Sequence, residues 1–431
     1  MPQKIPILAI ILLVVGLFVG YGIGVLTAPR PEVVAPTPAP VGLTGEIRIG
    51  ALIPLSGPLS SFGAEYKAIL EYAEKEINDY LAALGKPWRI KIVIEDTATD
   101  PRTHLEKLMS LAGVGIKIFI GGASSAELSE ALGFCNANNI LIISPSSTSP
   151  ALALRDMALR YTPNDLYQGV AIAVILWERG VRWILPVWRG DTWGDGLARV
   201  AIEEFTKICK ASGESCGVLE GIRYDPGAKE FSAEVSLLKT RVEDAVARYG
   251  KDKVGVLLIS FEEAAAIFAA AKAYPILSEV IWQGSDGTAA TAVLLDPGVA
   301  DFAVKTKFYN TMASPGISPL AERVRNVIRE KLGRDPMAYT YFVYDIAWTL
   351  ALALDAVGKY DAVTVKEALP LIFERYMGAS GIIRLDEESG DRISASYDLW
   401  AIVFEAGKYV WKVVGLYDGV TGRITWYVEK P

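Results

Sequence analysis

Apolar and polar residues alternate along "EIRIGALIP" (46–54), which puts Ile47, Ile49, Ala51 and Ile53 on one face of a strand. The period then lengthens. Tyr66, Ile69, Leu70, Ala73, Ile77, Leu81 and Leu84 follow Gly63 at helical spacing. "RIKIVIED" (89–96) reads as a strand, and Leu105, Leu108, Met109 and Ala112 mark a helix. "IKIFIGG" (116–122) and "ILIIS" (140–144) are strands with a helix between them. After residue 165 the series resumes: a helix to Arg179, strand "RWILPVW", helix 195–211, strand 218–223, helix 230–249, strand "VGVLLIS", helix 262–274 and strand "EVIWQ". Strands separated by helices predict βαβ units and parallel sheets. Two such series predict an α/β protein of two doubly wound parallel-sheet lobes, without an internal sequence repeat.

The N-terminus breaks this pattern. Ile5 to Ala28 is a run of about 24 uncharged residues, against the roughly 20 that span a bilayer. Secretory apolar regions are shorter, about 7–15 residues. No cysteine follows the run to take a lipid. We read 5–28 as an uncleaved transmembrane anchor, with a signal sequence cleaved near Thr27-Ala28 as the alternative. Lys4 and the free amine precede it, so the charge bias points the N-terminus inward and the rest of the chain outward. "APRPEVVAPTPAPVG" (28–42) holds five prolines and predicts a semi-rigid spacer. The organisation is therefore an anchor at 5–28, a Pro-rich linker at 29–45 and a two-lobed domain at 46–431.

Composition removes several classes of function. The 431 residues carry a net charge of −7, which argues against a nucleic-acid partner. Three cysteines and one histidine make neither a CxxC nor a Cys/His cluster, so no zinc site and no cofactor is implied. Without a second histidine most Ser-His and Cys-His nucleophile schemes fall away. His104 in "THLEK" is expected to face solvent from its amphipathic helix. Cys209 and Cys216 in "CKASGESC" are either a disulfide or two free thiols.

Open parallel sheets bind ligands beyond the carboxyl ends of their strands. The loops there read "PLSGPLSSFG" (54–63), "GGASSAE" (121–127), "SPSSTSP" (144–150), "WRGDTWGDG" (188–196), "SFEEA" (260–264) and "QGSDGTA" (283–289). Taken singly, each has an ordinary structural explanation. Ser-rich turns are commonly helix caps and Asp286 suits a turn, while Trp193 could equally be core. All six at one end of the strands point to a cleft. Its first-lobe side offers hydroxyls and helix-start amides; its second-lobe side offers aromatics and an acid.

The ordered series "IGALIPLSGPLSSFG", "IEDTATDP", "FIGGASS", "ILIISPSSTSP", "RYTPNDLYQG", "TWGDGLA", "FSAEVSLLK", "QGSDG" and "GIIRLDEESGDRISASYDLWAI" resembles the leucine/isoleucine/valine-binding protein family, the type I periplasmic binding proteins of ABC importers. The resemblance spans roughly residues 46 to 417. It implies that Ser124 or Ser125, with Ser146 and Thr148, holds a ligand carboxylate. It also implies that Trp193, Phe261 and Phe62 are pocket aromatics and that Asp286 receives an ammonium. Trp193 stands where the best-known members carry Tyr, Phe261 lacks a hydroxyl and Trp188 lies close by, so a flatter or smaller pocket than a leucine site is expected. A disulfide that some members place between the second and third loops is absent. The family pattern puts crossovers near 161–165, 308–313 and 388–396. Lobe one would be about 46–162 with 313–390, and lobe two about 166–308 with 396–431.

The implied function is a membrane-tethered extracytoplasmic solute-binding protein. It would deliver a small ligand, an amino acid of branched-chain type or related, to ABC permease and ATPase subunits. The alternatives are a tethered ligand sensor of the same fold, or a binder of a small amide or carboxylic acid. An enzyme is not expected, since no base stands beside any serine.

Overall fold

The computed structural model describes residues 42–394 and 396–428; the run 5–28 and nearly all of the Pro-rich spacer lie outside the described residues. Strands β1 (Gly45–Ile53), β2 (Trp88–Asp96), β3 (Ile118–Gly121), β4 (Leu141–Ser144) and β5 (Ala158–Arg160) form one sheet in the order β2-β1-β3-β4-β5. Every pairing in it is parallel. Helices α1 (Ser60–Ala83), α2 (Pro101–Gly113) and α3 (Ser125–Ala137) connect the first four strands. β3 and β4 are wholly buried, which is why "IFIG" and "LIIS" lack a polar face. The strand order reverses between β1 and β3, the position at which such sheets open a binding crevice.

The second sheet repeats this plan. Its strands are β6 (Trp183–Arg189), β7 (Gly217–Val218), β8 (Ile222–Tyr224), β9 (Val254–Ile259), β10 (Ile281–Gly284) and β11 (Tyr309–Ala313). β6 pairs with β7 and β8 on one side and β9 on the other, and β10 and β11 extend it, all in parallel. Helices α4 (Asp165–Glu178), α5 (Thr192–Ser212), α6 (Ser232–Tyr249), α7 (Ala264–Ala271) and α8 (Pro297–Lys305) accompany it. The expectation of a purely parallel sheet needs amending on this side. β14 (Tyr397–Glu405), β15 (Lys408–Asp418) and β16 (Arg423–Trp426) add an antiparallel extension beyond β11. Tight turns at 406–407 and 419–422 allow it, because adjacent antiparallel strands need no crossover helix.

Helices α9 (Pro319–Leu332), α10 (Ala338–Val357) and α11 (Ala362–Phe373), with the β12 (Met377–Gly378)–β13 (Gly381–Ile382) hairpin, return to the first-sheet half. α10 is long and apolar enough to cross a membrane, but it is a buried core helix lying along α1. The chain passes between the halves three times: at 161–164, at 314–318 and in the segment that leads into β14. The first and third passages are clamped together. The Arg160 guanidinium pairs with both oxygens of Asp391 at 2.5 Å, and Asn164 Nδ2 donates to Asp391 at 3.0 Å.

Cys209 and Cys216 form a disulfide, with Cα atoms 5.8 Å apart, that ties the end of α5 to β7. His104 does not face solvent. α2 is rotated so that His104, Leu108 and Leu111 make its buried face, a stripe at i, i+4 and i+7. His104 Nε2 accepts the Gly122 amide at 3.1 Å, and burial lowers the imidazole pKa to about 3. It is a neutral packing residue.

Candidate functional site

The loops after β1, β3 and β4 meet those after β6, β9 and β10 in one closed cleft. Phe62, Ser124, Ser125, Ser146, Trp193, Phe261 and Asp286 line it, and about 10 Å³ of cavity is left between them. That is the space of a single water. Thr148 is buried beside this lining, and its amide is held by Ser125.

On the first-sheet side, each hydroxyl has a local task. Ser124 caps α3, its Oγ accepting the Glu127 amide at 3.2 Å while Glu127 Oε2 accepts the Ser124 amide at 2.8 Å. Ser125 Oγ accepts the amides of Thr148 and Ser149 at 3.2 and 3.0 Å. Ser146 Oγ donates to the Ala123 carbonyl at 2.8 Å. The Ser144 hydroxyl donates to Gly122 O at 2.7 Å, and Arg160 Nη1 supports the carbonyls of Ser147 and Ser149. "SPSSTSP" is thus stitched to "GGASS", and both present small polar groups at the start of α3. Helix starts favour anions. Of the hydroxyls in these two loops, Thr148 Oγ1 is buried without a hydrogen-bond partner; it faces the Asp165 carboxylate but lacks hydrogen-bond geometry with it.

On the second-sheet side, Asp191 caps α5 through the amides of Trp193 and Gly194 at 3.1 and 2.9 Å. This fixes Trp193 flat against Phe261, with ring centroids 4.5 Å apart and planes at 19°. The Arg189 guanidinium lies over the Phe261 ring, 4.7 Å from its centroid, and is itself ion-paired to Asp191 and Glu263 at 2.5 and 2.7 Å. The close packing requires Gly287, where a Cβ would stand 2.6 Å from the Trp193 ring and 2.5 Å from Ser260 O. Trp188, by contrast, is outside the pocket, with its indole N–H on Asp195 at 2.9 Å.

Asp286 is buried and accepts from Gln168 Nε2 at 3.0 Å and from the Tyr339 hydroxyl at 2.5 Å. Burial raises its pKa to about 6. A second acid, Asp165, begins α4. Burial raises its pKa further above the usual range, and the neighbouring Asp286 adds to the shift. Both Asp165 oxygens are buried without a partner. Arg160, whose guanidinium acts on Asp165, is already paired with Asp391. The pocket therefore joins a hydroxyl and helix-start wall suited to an anion, one lining acid, Asp286, which the buried Asp165 influences electrostatically, and an aromatic wall.

Asp165, Gln168 and Tyr339 do not stand out in the sequence. Asp165 follows Asn164, whose side chain caps α4 by accepting the Leu166 amide at 3.0 Å, so it looks like a routine first-turn acid. Its total burial is the signal, and burial belongs to the tertiary structure. Tyr339 arrives from a helix more than fifty residues beyond Asp286 in the chain.

The chain matches the family model described as the receptor family ligand binding region over residues 67–405. It is 33% identical over 399 residues to an uncharacterised protein of Methanocaldococcus jannaschii, covering 88% of this chain and 91% of that protein. It is 26% identical over 374 residues to a Leu/Ile/Val-binding protein of Rhizobium johnstonii, covering 85% and 93%. Among solved structures, a leucine-binding protein from Thermotoga maritima is similar with a TM-score of 0.68 and 20% sequence identity, covering 85% of this chain and 97% of that one.

Proposed function

The chain belongs to the type I periplasmic binding protein family, a family of solute-binding proteins of ABC transporters, and on that premise we propose that it binds an amino acid in the cleft and delivers it to an ABC importer. The observation that carries the reading is the buried pair Asp165 and Asp286 beside the Ser125–Thr148 wall. A zwitterion satisfies both sides at once. Its ammonium meets Asp286, which Asp165 influences from within the buried core, and its carboxylate meets hydroxyls and helix-start amides. A plain carboxylic acid would leave Asp286 without a counter-charge. Trp193, Phe261 and Phe62 wall the apolar side of the cleft; with about 10 Å³ between them, the halves must part to admit a side chain, of branched-chain type or related. The Leu/Ile/Val-binding relative supports that class of ligand.

The binding mechanism is closure of the two halves about the three passages, with the ligand bridging them. The uncharged run 5–28 anchors the chain, the Pro-rich spacer holds the domain off the bilayer on the extracytoplasmic side, and permease and ATPase subunits receive the ligand. A protein of this kind catalyses no reaction. The test is a thermal-shift screen of amino acids against their deaminated and amidated analogues. A true ligand at a hundred times its dissociation constant stabilises by about 2.7 kcal/mol. Amino acids should shift the transition and deaminated analogues should not; stabilisation by the analogues alone would reject the amino-acid reading.

A further inference from the structure

Helix α1 begins without a cap of its own. Leu59 stands at the capping position and offers no side-chain acceptor. The missing acceptor comes from the other half of the molecule. Glu262, in the loop after β9, takes the Ser61 amide on Oε1 at 2.7 Å and the Ser60 hydroxyl on Oε2 at 3.0 Å. Its own amide donates to the Pro58 carbonyl at 3.1 Å. We propose that Glu262 is a positioning residue: it caps helix α1 from across the cleft, and this cap holds the two halves closed over the pocket.

Three features favour this reading over an incidental surface contact. Both of the side-chain hydrogen bonds that Glu262 makes cross the cleft, so opening the molecule removes them together. Its neighbours are fixed within their own half: Glu263 is held by Arg189 at 2.7 Å and by Tyr224 at 2.9 Å. The carboxylate therefore rides on a rigid loop. Finally, the residues beside the contact are pocket walls, Phe261 next to Glu262 and Phe62 next to Ser61. Making the cap and closing the pocket are one movement. The Ser61 hydroxyl adds to the contact by accepting the Ala292 amide at 3.0 Å.

A carboxylate at a helix start gains from the exposed amides and the helix dipole, and in the open molecule water takes over both roles. The cap thus biases an open–closed equilibrium without touching the ligand. It rests on the proposed function only in taking closure as the step that retains the ligand.

The experiment is pulsed electron-spin distance measurement on the full chain, labelled at Lys67→Cys on α1 and Ala233→Cys on α6, both exposed helix positions. No amino acid is added, so the outcome is independent of ligand class. The otherwise unaltered chain should give mainly one short distance. Glu262→Ala should add a longer one and raise the open-to-closed ratio at least tenfold. Glu262→Gln, which keeps an acceptor oxygen but no charge, should raise it about threefold. If Glu262→Ala fails to fold by circular dichroism, Glu262→Gln carries the test alone. A folded variant with an unchanged distance distribution overturns the proposal, and so does a parent chain that shows mainly the long distance.

Discussion

The Tyr339 hydroxyl donates to Asp286 Oδ2 at 2.5 Å, joining a helix that packs on the first-sheet half to the acid after β10 of the second. Together with Gln168 on Oδ1, it makes a buried carboxylate tolerable where no cation stands. Tyr339→Phe should therefore cost about 1–3 kcal/mol of stability at pH 7.5, measured by urea unfolding. The loss should shrink at pH 5, where a protonated Asp286 no longer presents a bare charge.

The pKa of about 6 at Asp286 sets a pH dependence with opposite signs for the free and bound protein. The unfolded carboxyl titrates near 3.9, so the native state binds this proton more tightly. Its stabilising contribution is complete below about pH 3.9 and is lost as pH rises through about 6. The free protein should gain about 1.4 kcal/mol from this group between pH 7.5 and pH 5. Binding of an ammonium needs the ionised acid, so affinity should fall about tenfold from pH 7 to pH 5. Scanning calorimetry and titration calorimetry at the two pH values check the pair of trends.

Thr148→Val should also separate stability from binding. The Thr148 hydroxyl makes no close hydrogen bond but faces the Asp165 carboxylate, so its removal should change the stability of the free protein by no more than ~1 kcal/mol. The same change deletes a donor to the ligand and should weaken binding by about 1.5–3 kcal/mol. Thermal unfolding without ligand and titration calorimetry with the best amino acid measure the two effects on one variant.

The Arg160–Asp391 pair clamps two of the three passages and props the carbonyls of Ser147 and Ser149. Asp391→Ala leaves a buried guanidinium without its counter-charge, which should cost about 3–5 kcal/mol in urea unfolding. Ligand affinity should fall with it, because the loop that bears Thr148 loses its support.

The alternation of periods made the two sheets legible in the sequence, since β3, β4 and β9 are apolar runs of strand length between helical stretches. The antiparallel extension is harder to read, because β15 is half-exposed and its pairing with β14 shifts register at Leu399/Trp400, which breaks the alternation. His104 reads as exposed in the sequence because its helix is turned by about one residue, ~100°, from the face that Leu105, Leu108, Met109 and Ala112 suggest. In the site, the loops themselves announced Ser124, Ser125, Ser146, Trp193 and Asp286 as candidates, and they line one cavity. Asp165 and Tyr339 escaped notice because their character comes from burial and from partners distant in sequence. The trans cap by Glu262 is likewise invisible without the closed pair of halves.

On the proposed reading the buried acid Asp286, with Asp165 acting on it, selects for an amine. Titration calorimetry on the full chain tests it most directly, using the best amino acid from the screen and its deaminated analogue with the parent, Asp286→Asn and Asp165→Asn. Disrupting a buried charge pair typically costs about 2–5 kcal/mol, or roughly 30- to 5,000-fold in affinity. The parent should bind the amino acid at least a hundredfold more tightly than the analogue, and each variant should lose most of that preference. Equal binding of the two compounds by the parent, or undiminished discrimination by both variants, would contradict the account.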